Sequence, residues 1–175
     1  MDKKIVVIYK SKYGYSKKYA GWIALKLDAD LYEVDDIHPK ALNDYDTIIY
    51  GSGIYNGCMN SLKFIYRNFE RIKDREIIIF GVGLKSNNDM VDVVQKHLSE
   101  EMISKVKIFS FVGGINHDTI SKYDKFLLEI YKYKNDKSQN KDLDIKLFDK
   151  TIDLCDKKSI YKLINSVNSL SIIYK

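Results

Sequence analysis

Cysteine, histidine and proline are scarce in this 175-residue chain, and each scarcity closes a class of explanation. The two cysteines, Cys58 and Cys155, stand far apart and no C-x-x-C occurs, so there is no disulfide framework, no zinc site and no ligand set for an iron–sulfur cluster. Both are read as ordinary reduced thiols. His38, His97 and His117 lack the spacing of metal ligands and are read as surface or loop residues, so no metal is expected. Proline occurs once and hydrophobic residues make up 45%, a composition that folds rather than stays disordered. No apolar run approaches the length that spans a bilayer. The opening Met-Asp-Lys-Lys leads straight into a strand-like segment rather than a signal peptide, so a cytoplasmic location is expected.

The formal charge is +5, yet the lysines are spread along the whole chain with aspartates between them. Nucleic-acid binding needs basic residues gathered on one face or beside stacking aromatics, so no nucleic-acid partner is expected. The length suits one domain with a sizeable core.

Apolar strand-like runs alternate with helical periodicity throughout. Strands are expected at Ile5 to Tyr9, Leu31 to Val34, Asp46 to Gly51, Glu76 to Val82 and Val106 to Val112. Helices are expected at about 15–28, Leu62 to Ile72, Met90 to Ile103, about 120–134 and 158–169. Continuous apolar strands separated by helices imply an α/β fold whose parallel sheet is covered on both faces. An open five-stranded sheet in the order 2-1-3-4-5 places a ligand outside the carboxyl ends of the first and third strands, where the winding reverses.

The loop after the first strand reads Ser11-Lys12-Tyr13-Gly14-Tyr15-Ser16 and opens a helix carrying Tyr19, Ala20, Ile23, Ala24 and Leu27 at helical spacing. Such a junction aims unpaired N–H groups and the positive helix end at one spot, where a phosphate binds. With a single glycine it is neither a P-loop nor a dinucleotide fingerprint. A plain strand-to-helix turn capped by Ser16 would leave the same trace. The third strand leads into Ser52-Gly53-Ile54-Tyr55-Asn56-Gly57. There Ile54 or Tyr55 can wall a flat ring, and Asn56-Gly57 can adopt positive φ and turn over as a ring gains a proton on reduction. A tight turn before the next helix is the alternative. The fourth strand ends in Gly83-Leu84-Lys85-Ser86-Asn87, whose glycine admits close backbone contact with a ring edge.

These three loops, in this order, resemble the flavodoxin-like family. Gly113-Gly114 and Tyr123-Asp124-Lys125-Phe126 add a likeness to the flavodoxin-domain proteins related to menaquinone-dependent protoporphyrinogen dehydrogenase. The likeness covers roughly residues 3–170. It implies FMN as cofactor, with Ser11, Lys12, Tyr13, Gly14, Tyr15 and Ser16 on its phosphate. Ser52, Gly53, Ile54, Tyr55, Asn56 and Gly57 would line the ribityl chain and one ring face, and Gly83, Leu84, Lys85 and Asn87 the other side. Tyr13 stands where electron-carrier flavodoxins have a small hydroxyl residue, and Leu84-Lys85 replaces their acidic and aromatic residues.

The resemblance implies a single flavodoxin-like domain over 1–175 with an extra helical and polar segment at about 119–145. It also implies an oxidoreductase passing electrons from a reduced organic substrate to a quinone or another acceptor, with a redox partner protein as the alternative. A soluble electron carrier and a flavin-free binding module on the same fold are the rival classes. A phosphoacceptor version of the latter lacks its acidic residue, since Gly51 and Ser52 stand there. No side chain stands out as an acid or base catalyst. Lys85 at ~6 Å from a ring, with an effective dielectric of ~20, would be worth roughly 3 kcal/mol before screening, so a higher potential than that of acidic carriers is expected. Ile120, Tyr123, Phe126, Leu127, Ile130 and Tyr131 are expected on one helical face. With Lys122, Lys125, Lys132 and Lys134 nearby, that helix would either pack on the sheet or make a weak peripheral membrane contact through 120–134.

Overall fold

Strands β1 (Ile5–Lys10), β3 (Thr47–Tyr55) and β5 (Glu76–Gly83) are apolar without alternation because both of their faces are covered. The computed structural model describes residues 3–55, 57–84, 90–136 and 150–173, with backbone alone at 131–136 and 170–173. Strands β2 (Asp30–Glu33) and β6 (Val106–Val112) form the edges of a parallel sheet in the order β2-β1-β3-β5-β6. Leaving out the two-residue β4 (Cys58–Met59), this is the expected 2-1-3-4-5 order. In register, Val7 of β1 lies beside Ile49, Ile49 beside Ile78, and Ile78 beside Lys107.

Alternate residues feed two cores. Val7, Tyr9, Ile49, Ile78 and Phe80 meet Tyr19, Ala20, Ile23 and Ala24 of α1 (Tyr15–Leu27) and Leu163, Ile164 and Val167 of α6 (Tyr161–Ile173). On the other face Val6, Ile8, Ile48, Tyr50, Ile77 and Ile79 meet Ile65, Phe69 and Ile72 of α2 (Lys63–Ile72) and Val93 and Val94 of α3 (Met90–Gln95). Ile65, Phe69 and Ile72 fall at i, i+4 and i+7, one stripe of a helix. Each such fully buried aliphatic or aromatic side chain contributes about 1.5–3 kcal/mol.

Three sequence expectations need correction. The third strand does not stop at Gly51 but runs to Tyr55 and folds back through Gly57 into β4, pairing Tyr55 with Cys58. The helix expected over Met90 to Ile103 is two helices, α3 and α4 (Glu100–Ser104). Ser99 divides them: its backbone is extended and its hydroxyl accepts from the Met102 N–H, a cap that starts a new helix. Finally, α5 (Lys122–Asp136) does not present the expected six-residue face. Tyr123 and Phe126 are 66% and 61% exposed, whereas Leu128 is buried with Ile115 against Leu84, Ile120 and Ile152. The helix sits at the carboxyl edge of the sheet, on the ribbon of β7 (Gly114–Ile115) and β8 (Ile152–Asp153), where only a narrow apolar strip faces it. Tyr131, Lys132 and Lys134 lie where only the backbone is described, and residues 137–149 of the expected polar segment lie outside the described residues.

Candidate cofactor site

The β1–α1 junction is shaped by Gly14, whose φ of +89° only glycine adopts without strain. Its N–H donates to Ser11 Oγ at 3.1 Å, closing the loop. Gly14 holds the N-cap position of α1, so no side chain caps this helix. The N–H groups of the first turn and the positive helix end therefore face the cleft beside Ser16, which is buried.

A cleft of about 450 Å³ opens there, within the range of small-molecule sites. Ser11, Tyr13, Tyr15 and Ser16 form its floor at the loop, and Gly53, Ile54, Tyr55 and Gly57 of the β3–β4 hairpin form one wall. Val82, Gly83 and Leu84 at the end of β5 form a second. Five of the chain's nine glycines line it, Gly113 and Gly114 among them. A Cβ on Gly114 would lie 2.8 Å from the Tyr15 ring, whose hydroxyl donates to the Ile152 carbonyl at 3.1 Å. Backbone and ring thus touch with nothing between them.

Other expected residues are placed differently. Lys12 and Gly14 support the loop but do not line the cleft. Ser52 is fully buried between Lys10 and Gly81 in the strand register, away from the cleft, and its hydroxyl has no partner among the described residues. Asn56, Lys85 and Asn87 lie outside the described residues.

Sequence reasoning missed the wall made by Ile115, Asn116, Ile120, Asp124, Leu127 and Leu128. Its anchor is Asp124. The carboxylate accepts from the Lys12 ammonium, the Tyr13 hydroxyl and Ser121 Oγ, the last at 3.0 Å. Tyr13 Oη in turn accepts the Ser121 N–H at 3.2 Å. The Lys12 ammonium lies 5.3 and 5.6 Å from the Tyr13 and Tyr55 ring centres, so one cation joins the loop, the hairpin and α5. The available signals were the Gly113-Gly114 pair and the Tyr123-Asp124-Lys125-Phe126 segment of an amphipathic helix.

Burial pushes the Asp124 carboxyl upward, but the Lys12 ammonium and the Tyr13 and Ser121 hydroxyls outweigh it and hold it below the ordinary value. Burial raises the phenols of Tyr55 and Tyr15, which stay neutral. A carboxyl depressed in the folded state stabilises the fold above the unfolded pKa of ~4 and loses that contribution as pH falls through its folded value. Asp124→Asn is therefore expected to cost about 1–2 kcal/mol at pH 7. Chemical denaturation at stepped pH should show the gap to the parent closing in acid, and a gap independent of pH would contradict the assignment.

The family model described as Flavodoxin domain matches residues 6–142. An uncharacterised protein of Methanocaldococcus jannaschii is 28% identical over 150 residues, covering 74% of this chain and 99% of that protein. Among solved structures, a flavodoxin from the domain Archaea superposes with a TM-score of 0.50 at 16% identity, covering 74% of this chain and 97% of its own. The two-electron-reduced flavodoxin of Megasphaera elsdenii also gives 0.50, at 18% identity over 62% of this chain and 85% of its own.

Proposed function

This chain belongs to the flavodoxin-domain family, and on that premise we propose that it binds one FMN non-covalently and transfers electrons through it. The observation that carries this reading is the uncapped α1 terminus opening into the same cleft as an aromatic and glycine wall, at the point where the sheet reverses its winding. An anion site and a slot for a flat ring are the two ends of one ligand of this type. The residues fit it. Loop N–H groups with Ser11 and Ser16 would hold the phosphate, Tyr55 and Ile54 would flank one ring face, and Gly83 and Leu84 would stand at the other side. Ile115, Ile120, Leu127 and Leu128 give the cleft an apolar wall. FMN, when bound, supplies the capacity to accept and pass electrons, while the chain supplies position and charge.

The partners follow the same reading: an oxidoreductase of the protoporphyrinogen-dehydrogenase-like kind, taking electrons from a reduced organic substrate and giving them to a quinone or another acceptor. A wall made by α5 over the cleft supports a small substrate more than a docked carrier protein. Exposed Lys122, Tyr123, Lys125 and Phe126 support a weak contact with a membrane surface.

The test is an absorbance spectrum of the purified protein after incubation with FMN and removal of unbound flavin. Retained flavin bands are expected, with riboflavin held roughly 100-fold more weakly because it forgoes about two charge-assisted hydrogen bonds. No retained flavin would sink the redox reading.

A further inference from the structure

Lys96 follows directly on α3, is exposed, and donates from its ammonium to the Gly57 carbonyl at 2.7 Å. Gly57 turns the hairpin at a φ of +67°, and a Cβ there would stand 2.9 Å from that nitrogen, so the cation lies close against the turn. Gly57 itself lines the cleft. The charge therefore lies one peptide group behind the wall along which a ring would lie.

Three lysines of the first loop and its flanks are paired with carboxylates. Lys12 pairs with Asp124, Lys18 with Asp153, and Lys10 with Glu33 and Asp35. Asp124, the carboxylate among the described cleft-lining residues, is thus neutralised by its own cation. Among the described residues Lys96 meets a neutral carbonyl instead and forms no ion pair.

We propose that Lys96 is a positioning residue that shifts the cleft's preference toward the reduced mononucleotide relative to the oxidised one. The proposal rests on the FMN reading above. The physical ground is charge balance: an oxidised ring that gains two electrons and one proton carries one more negative charge than before. A cation behind the wall stabilises that added charge and leaves the oxidised ring nearly untouched. Lys85 was the sequence's candidate for this part, whereas Lys96 stands 39 positions from Gly57 and no motif links the two.

The experiment loads the parent protein, Lys96→Met, Lys96→Gln and Lys96→Arg with FMN. It measures the two-electron midpoint potential by dithionite titration against a reference dye, and the dissociation constant of oxidised FMN by fluorescence. The two neutral variants are expected to lose about tenfold in the ratio of reduced to oxidised affinity, a potential more negative by about 30 mV for a two-electron couple. Their affinity for oxidised FMN should stay within about threefold, and Lys96→Arg should keep the parental potential because it keeps the charge. FMN retained by the neutral variants at an unchanged potential overturns the proposal and leaves the FMN reading standing. A potential shifted upward overturns it too, since freeing the Gly57 carbonyl would then outweigh the lost charge. Failure of the parent protein to hold FMN overturns both.

Discussion

Ser11→Asp is expected to lower FMN affinity by about two orders of magnitude while leaving the melting temperature unchanged or slightly raised. Ser11 Oγ already accepts the Gly14 N–H, and the larger aspartate carboxylate, on the same exposed loop, can accept the same donor. Near an uncapped helix end it also meets the positive side of the dipole, worth about 0.3–1 kcal/mol to the folded chain. That carboxylate occupies the ground a phosphate needs. Two like charges ~5 Å apart at an effective dielectric of ~20 repel by roughly 3 kcal/mol, which is about 100-fold in binding. Riboflavin has no phosphate, so its weaker binding should barely change and the preference for FMN should collapse. Fluorescence titration with the two flavins and a thermal melt decide it. Equal losses for both would mean that the ligand's anionic end lies elsewhere.

The largest loss of stability is expected at Phe80. Its ring is fully buried in the core beneath α1 and α6, tilted against Phe111 with centres 5.5 Å apart. In the β3–β5 register it lies beside Gly51, and a Cβ built on Gly51 would stand 1.9 Å from the ring's Cζ, overlapping the ring edge. Phe80→Ala should cost about 3–5 kcal/mol, a fall of about 10 °C in Tm for a chain of this length. Gly51→Ala alone should cost about 1–3 kcal/mol by overpacking, because the β3 and β5 backbones are held in the ladder and cannot part. In the Phe80→Ala background the same methyl enters the hole, so its cost should vanish or reverse. A coupling of at least about 1 kcal/mol is expected from the double-mutant cycle. Additive losses would mean that the ring does not cover Gly51.

Period and loop chemistry are local properties, and what depended on them was legible. The three unalternating central strands, the stripe of α2 and the glycine of the β1–α1 loop are each written within a dozen consecutive residues. The two-helix break left a local signal that the expectation of one helix over Met90 to Ile103 passed over: Ser99 followed by Glu100 and Glu101 is a helix-start signature inside an otherwise periodic run. The hairpin at Gly57 was harder to see. Its return strand is only Cys58–Met59, too short to show alternation, so the turn residues read as a loop leading to a helix.

The sequence by itself determined the alternation of strand and helix, the order of the sheet and the glycine-bearing strand-to-helix junction that opens α1. Burial on two faces and the need to satisfy backbone N–H groups act on neighbouring residues, and their pattern survives in one dimension. Only the tertiary structure decided what closes the cleft. Asp124 lies 112 positions from Lys12 and 111 from Tyr13, and the Gly57 carbonyl finds its cation on the far side of α2 and β5. Hydrogen bonds and ion pairs require approach to within a few ångströms in space. No spacing along the chain encodes that approach when a whole sheet must form first to bring the partners together.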